Sequence, residues 1–191
     1  LIRAARQVSD DLVILQRSDN AWQVVACCLC NPTFFSAPFA LGKNLADLHA
    51  PVPDQGYGLA SRIDRVFTHV QTGQVLERHN WTVQWSNARF TPDGAPLRHL
   101  AQSATVTGKG EHLFVRVERQ TITRLPLCGA IVFTIRISLT SLRDIVADDG
   151  ARAAFTHAWQ DAPEHVRLYK RWAVLEPHVA ALLANSNERR T

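Results

Sequence analysis

Five charged residues, Arg116, Glu118, Arg119, Arg124 and Arg136, lie within the β-branched and aromatic stretch from His112 to Leu139. Such a set is either an Arg/Glu ladder on the wet face of an antiparallel sheet or a charged wall in a pocket. Glu118 is the only acid of that stretch. Of the eight histidines, His49 stands out because it follows LADL and precedes Ala-Pro-Val, an exit that fixes the backbone around one imidazole. A histidine so placed serves as a hydrogen-bonding residue or as a ligand. His69 is second, lying beside rather than within an apolar helical stripe, and His79 in RHNW is third. His99, His112, His157, His165 and His178 read as surface or helix-terminal residues. The cysteines Cys27, Cys28 and Cys30 crowd into VVACCLC, where neighbours alternate sides, and with Cys128 they match no zinc or iron–sulfur spacing. They are expected to be buried free thiols in a reducing compartment.

Strands and turns must carry these groups. Leu113, Val115 and Val117 alternate with Phe114, Arg116 and Glu118, and Ile131, Phe133, Ile135 and Ile137 alternate with Val132, Thr134, Arg136 and Ser138. With Pro126 to Gly129 between them, the two runs predict a long hairpin. Parity sends Glu118 and Arg119 to opposite faces unless a bulge intervenes. Upstream, LVILQ and WQVVACCL flank Ser18, Asp19 and Asn20 and predict a first hairpin, after the end of a helix over 1–8. Prolines and glycines break 31–53 into short turns, of which 44–49 forms about one and a half helical turns. Leu59, Ile63, Val66, Phe67 and Val70 form an amphipathic stripe over 57–71, closed by Gly73. NWTVQWS predicts a strand with Trp81, Val83 and Trp85 on one side. The Pro- and Gly-rich 90–110 reads as an irregular excursion, a rim or lid. Helices follow over 141–187, with Val166, Tyr169, Trp172 and Val179 as packing residues.

At 191 residues, the chain can bury roughly 70% of its unfolded surface in one domain without a disulfide or metal staple. Hydrophobic residues at 46% and charged ones at 20%, with no apolar run near the ~18 residues of a membrane span, predict a soluble, cytoplasmic protein. The net charge of +4 comes from scattered arginines, with lysines only at 43, 109 and 170, which argues against a nucleic-acid surface. Arginine instead suits carboxylate partners, because its planar fork pairs two oxygens at once. No GxGxxG, P-loop, flavin signature or clustered cysteine set occurs in the sequence. A chain without methionine that starts within a helix end is expected to lack native N-terminal material.

The motifs RVERQTITRLP, GAIVFTIR, LGKNLADLHAPVP and RHNW occur in collinear order and together resemble the haem-dependent oxidative N-demethylase family, over about residues 7 to 180. The resemblance implies an α+β fold like a PAS domain, a five-stranded antiparallel sheet with helices over one face. One haem-binding domain would span 1–191, with a bracing helical extension over about 141–187. It implies a monooxygenase subunit that demethylates a small secondary amine such as dimethylamine, using O2 and electrons from outside the chain. Haem b is the implied cofactor, with His49 as the iron ligand, His69 as its competitor, and Arg116, Arg124 and Trp81 against the cofactor. Glu118 would balance the ammonium charge, and Arg119 or Arg136 would hydrogen-bond oxygen. NADPH, flavin and an iron–sulfur centre are then expected on a reductase partner, within a homo- or hetero-oligomer. A haem or small-ligand sensor of the same fold is the rival reading, weakened by the want of a coiled-coil linker or output domain in this sequence. A third is a relative whose pocket holds something other than haem.

Overall fold

The computed structural model describes residues 1–50, 52 and 58–188. Pro51, Pro53 and Tyr57, on which the expected rigid exit after His49 and the start of the stripe rest, lie outside the described residues. Five strands form one sheet in the order β2-β1-β5-β4-β3: β1 Asp10–Ser18, β2 Ala21–Cys28, β3 Val75–Gln84, β4 Phe114–Arg124 and β5 Ile131–Ser141. The protein is α+β, and β1 pairs antiparallel with both β2 and β5.

Both predicted hairpins are present, and each is set by backbone that must turn left-handed. Asp19 and Asn20 both have positive φ, 48° and 65°, and Ser18 pairs with Ala21 across them. Asp and Asn tolerate that region, and such a two-residue loop matches the natural strand twist. In the longer hairpin Gly129 takes φ +68°, while Leu125 N–H donates to Ala130 O and Gly129 N–H to Leu125 O.

The chain forms two compact units, one comprising 1–80, 89–93 and 118–137 and the other 81–88, 94–117 and 138–191. In the first lie α1 Ile2–Ala5, α2 Ala37–Ala40, α3 Leu45–His49 and α4 Leu59–His69. Asn44 caps α3, its Oδ1 accepting from Asp47 N–H at 2.9 Å, so the expected one and a half turns start where the sequence places them. The core here joins Val13, Leu15, Trp22, Val24, Phe67 and Ile131. The α4 stripe is narrower than expected: Phe67 and Val70 are buried, but Val66 is 41% exposed, and the helix ends at His69 rather than at Gly73.

The second unit contains α5 Ala95–Ser103, α6 Leu142–Ala147, α7 Asp149–Gln160, α8 Glu164–Tyr169, a 3-10 turn at Trp172–Val174 and α9 Glu176–Glu188. Helix α5 corrects the expected irregular excursion. Pro96 occupies its first turn, where a missing N–H costs nothing, and Ala101 is fully buried. Trp172 is wholly buried, stacked on Trp159 with centroids 4.4 Å apart, and its indole N–H donates to Thr82 Oγ1 at 3.0 Å. Val179 is also fully buried, while Tyr169, expected to pack, is 42% exposed. Among the described residues no helix is long and apolar enough to cross a membrane.

Candidate functional site

His49 ends α3 and is half-buried. Its Nδ1 lies 2.7 Å from Leu45 O, one helical turn back, and since a carbonyl only accepts, Nδ1 carries the proton. The lone pair therefore sits on Nε2. Burial holds the imidazole pKa below its ordinary value; the Leu45 carbonyl pulls the other way, and the smaller effect of the Arg78 charge adds to the lowering. A neutral ring with one nitrogen fixed on a carbonyl is the form in which histidine ligates metals. His69 makes the same i−4 contact, Nδ1 to Arg65 O at 2.7 Å, but is exposed at the end of α4.

Glu118 lies on β4 and is only 8% exposed. Three neutral donors hold its carboxylate. Thr33 Oγ1 donates to Oε1 at 2.6 Å, while Gln120 Nε2 at 2.8 Å and Asn80 Nδ2 at 3.3 Å donate to Oε2. Gln120 Oε1 in turn accepts from Arg78 Nε at 2.6 Å, which fixes which end of the amide faces the glutamate. The first unit thus carries a polar row that runs from exposed Arg78 through buried Gln120 and Glu118 to half-buried Thr33, and the Arg78 charge also acts on His49. Sequence reasoning singled out Glu118 and His49 and missed Arg78, Gln120, Asn80 and Thr33. Gln120 was legible, being two residues from Glu118 on the same strand face. Asn80 stood in RHNW, whereas Thr33 is 85 residues from Glu118 and carried no signal.

The arginines divide. Arg119 points away from Glu118, as parity required, and pairs with Glu77 at 2.5 Å on the exposed side. Arg136 pairs with Asp10 at 2.7 Å, directly opposite in the β1–β5 register. These two fit the ladder reading. Arg124 binds the C-terminal end of α4 and the hairpin turn: Nε donates to Val70 O, Nη1 to Gly129 O, and Nη2 to Phe67 O and Thr68 O, at 2.5–3.1 Å. Its guanidinium also lies over the Trp22 ring, 5.5 Å from the centroid. Arg116, in the second unit, is fully buried and donates to Gln84 Oε1 at 3.5 Å. Burial takes Arg116 and Glu118 out of any wet ladder. Trp81, in the same unit as Arg116, packs on Trp172 with centroids 5.0 Å apart, and Lys170 lies over both rings, 5.5 Å from each.

The cysteines are free, but the expectation of burial fails: Cys27 and Cys28 are half-buried and Cys30 and Cys128 exposed. The reason is position, since Cys27 and Cys28 end the edge strand β2 and Cys128 sits in the hairpin turn. Among the described residues no three His, Cys, Asp or Glu side chains gather as a metal site. One cavity of about 270 Å3 in the first unit is lined by Arg17, Trp22, Thr68, Arg124 and Cys128, and one of about 220 Å3 in the second by Trp85, Glu111, His112 and His178. Neither of these two is lined by His49 or Glu118.

Fold and site define an α+β protein whose five-stranded sheet carries a buried, hydrogen-bonded glutamate in the same unit as the half-buried His49 imidazole, with Nδ1 fixed on the Leu45 carbonyl. The chain belongs to the family described as haem-dependent oxidative N-demethylase, alpha subunit-like, which it matches over residues 1–180. It is therefore a haem-dependent N-demethylase-like subunit, and the description as an alpha subunit implies an enzyme with further subunits.

Proposed function

We propose that this chain is the haem-carrying subunit of a monooxygenase that demethylates a small secondary amine such as dimethylamine, taking O2 and receiving electrons from a reductase subunit. The observation that carries the reading is the pairing, within one unit of a family member, of His49 with its Nε2 lone pair free of the Leu45 contact and a buried carboxylate at Glu118. The donor set suits haem, because a single histidine nitrogen is all that the protein would need to add to the ligands the macrocycle brings. When bound, the haem would supply oxygen activation and single-electron chemistry.

The chain's own residues supply binding and orientation. His49 would hold the iron through Nε2, its ring fixed by Leu45 O. Glu118 would receive the protonated amine, since moving an unpaired cation out of water costs several kcal/mol unless an anion waits for it. Gln120, Asn80 and Thr33 hold that carboxylate in one rotamer, so little orientation is lost when the amine arrives. Arg124, Arg119 and Arg136 already hold carbonyls or carboxylates of the fold. In this reading the sheet and its helices act as a PAS-like haem domain within a cytoplasmic complex, and NADPH, flavin and an iron–sulfur centre belong to the reductase.

Formaldehyde release from dimethylamine tests this. Turnover is expected only when a reductase or an artificial electron donor is added to the haem-loaded chain. NADPH-driven turnover by the chain alone would refute the division of labour.

A further inference from the structure

The hydrogen bonds around Glu118 leave a specific vacancy. Each carboxylate oxygen accepts about two hydrogen bonds. Oε2 already takes Gln120 and Asn80, while among the described residues Oε1 takes only Thr33. One acceptor position therefore remains, on Oε1, beside the Thr33 hydroxyl. That hydroxyl has given its single proton to Glu118, so Oγ1 offers lone pairs and nothing else. Two acceptors 2.6 Å apart thus form one edge, and no donor of that pair faces an incoming ligand.

The edge is held in place. Thr33 bridges Thr91, and the segment is pinned on both sides by Phe34 N–H to Thr91 O at 2.7 Å and Thr91 N–H to Pro32 O at 3.1 Å. Thr91 Oγ1 adds a donation to Pro32 O at 3.0 Å. Phe34 takes φ +58°, an unusual conformation for a bulky residue, and Pro32 is among the fully buried side chains. Thr33 itself is half-buried, so its oxygen is sheltered without being sealed.

We infer that Thr33 sets the substrate class of this site: Glu118 Oε1 and Thr33 Oγ1 together take the two N–H bonds of a protonated secondary amine and discriminate against tertiary amines. The inference rests on the reading of Glu118 as the ammonium acceptor. A secondary ammonium carries two N–H bonds and a tertiary one only one. A nitrogen about 2.8 Å from both oxygens bends each N–H···O to roughly 140°, within hydrogen-bonding range. A tertiary ammonium satisfies Oε1 alone and sets a methyl group against the Thr33 oxygen, which stays without a donor. The loss of one charge-assisted hydrogen bond corresponds to about tenfold in affinity.

Calorimetric titration of the haem-loaded chain with dimethylammonium and trimethylammonium tests this. In the unmodified protein dimethylammonium is expected to bind about tenfold more tightly. Thr33→Val, which keeps shape and removes the acceptor, is expected to bring the ratio close to one, and Thr33→Ser to restore it. Freeing Glu118 from its Thr33 bond alters both ligands alike, so the ratio isolates the second acceptor. A ratio near one in the unmodified protein, or a ratio that Thr33→Val leaves unchanged, overturns the inference while Glu118 can still bind both amines. If Glu118→Gln leaves both affinities unchanged, the reading of Glu118 fails and this inference with it.

Discussion

Replacing Glu118 with Gln separates a charge needed for binding from a charge needed for folding. The substitution conserves size in a side chain only 8% exposed. Gln120 Nε2 and Asn80 Nδ2 both donate to one oxygen, so the new amide keeps its oxygen toward them and turns its nitrogen toward Thr33. The Thr33 hydroxyl then rotates from donor to acceptor, and no buried polar group is orphaned. The stability cost is therefore within about 1 kcal/mol, the size of one ordinary hydrogen bond exchanged for another. Binding behaves differently. A hydrogen bond to a charged group contributes about 1.5–3 kcal/mol and a neutral one about 0.5–1.5. Removing the charge thus costs the amine on the order of 1.4 kcal/mol, or tenfold in affinity. Amine titration followed by the haem absorption spectrum measures this directly, with urea unfolding as the check on the fold. An unchanged amine affinity in Glu118→Gln would show that the carboxylate serves only the sheet.

Two further predictions concern groups whose environment the fold sets. Burial lowers the His49 pKa, so below pH ~6.5 the unfolded chain takes up a proton that the folded chain resists. The apoprotein should keep this contribution above pH ~6.5 and lose stability as pH falls below it, and His49→Gln should flatten that fall; equal slopes between pH 7.5 and 5.5 in urea unfolding would contradict it. Arg124→Lys keeps the charge but cannot reach Phe67, Thr68, Val70 and Gly129 carbonyls together, and should cost the haem-free protein about 2–3 kcal/mol. A loss below about 0.5 kcal/mol in chemical unfolding would mean that water replaces the guanidinium freely.

What the sequence disclosed follows the range of the interactions involved. Alternation and left-handed turn residues act within a few positions, and both hairpins, with Asp19, Asn20 and Gly129 at their turns, were legible. So was the opposition of Glu118 and Arg119, a matter of strand parity. Helix α5 was hidden because Pro96 reads as a breaker, although in the first turn it breaks nothing. The role of Arg124 was hidden for a different reason: its acceptors are carbonyls of Phe67, Thr68 and Val70, and backbone groups carry no sequence signature. Thr33 is the extreme case, a threonine in a loop whose meaning comes wholly from a carboxylate 85 residues away.

The proposal that His49 would hold a haem iron stands or falls on the visible absorption spectrum of the purified chain beside that of His49→Ala. A Soret band is expected in the unmodified protein and should be lost or grossly shifted in His49→Ala, with far-UV circular dichroism unchanged. An unaltered ferric spectrum in His49→Ala, with the loss appearing instead in His69→Ala, would contradict it and move the ligand to the end of α4.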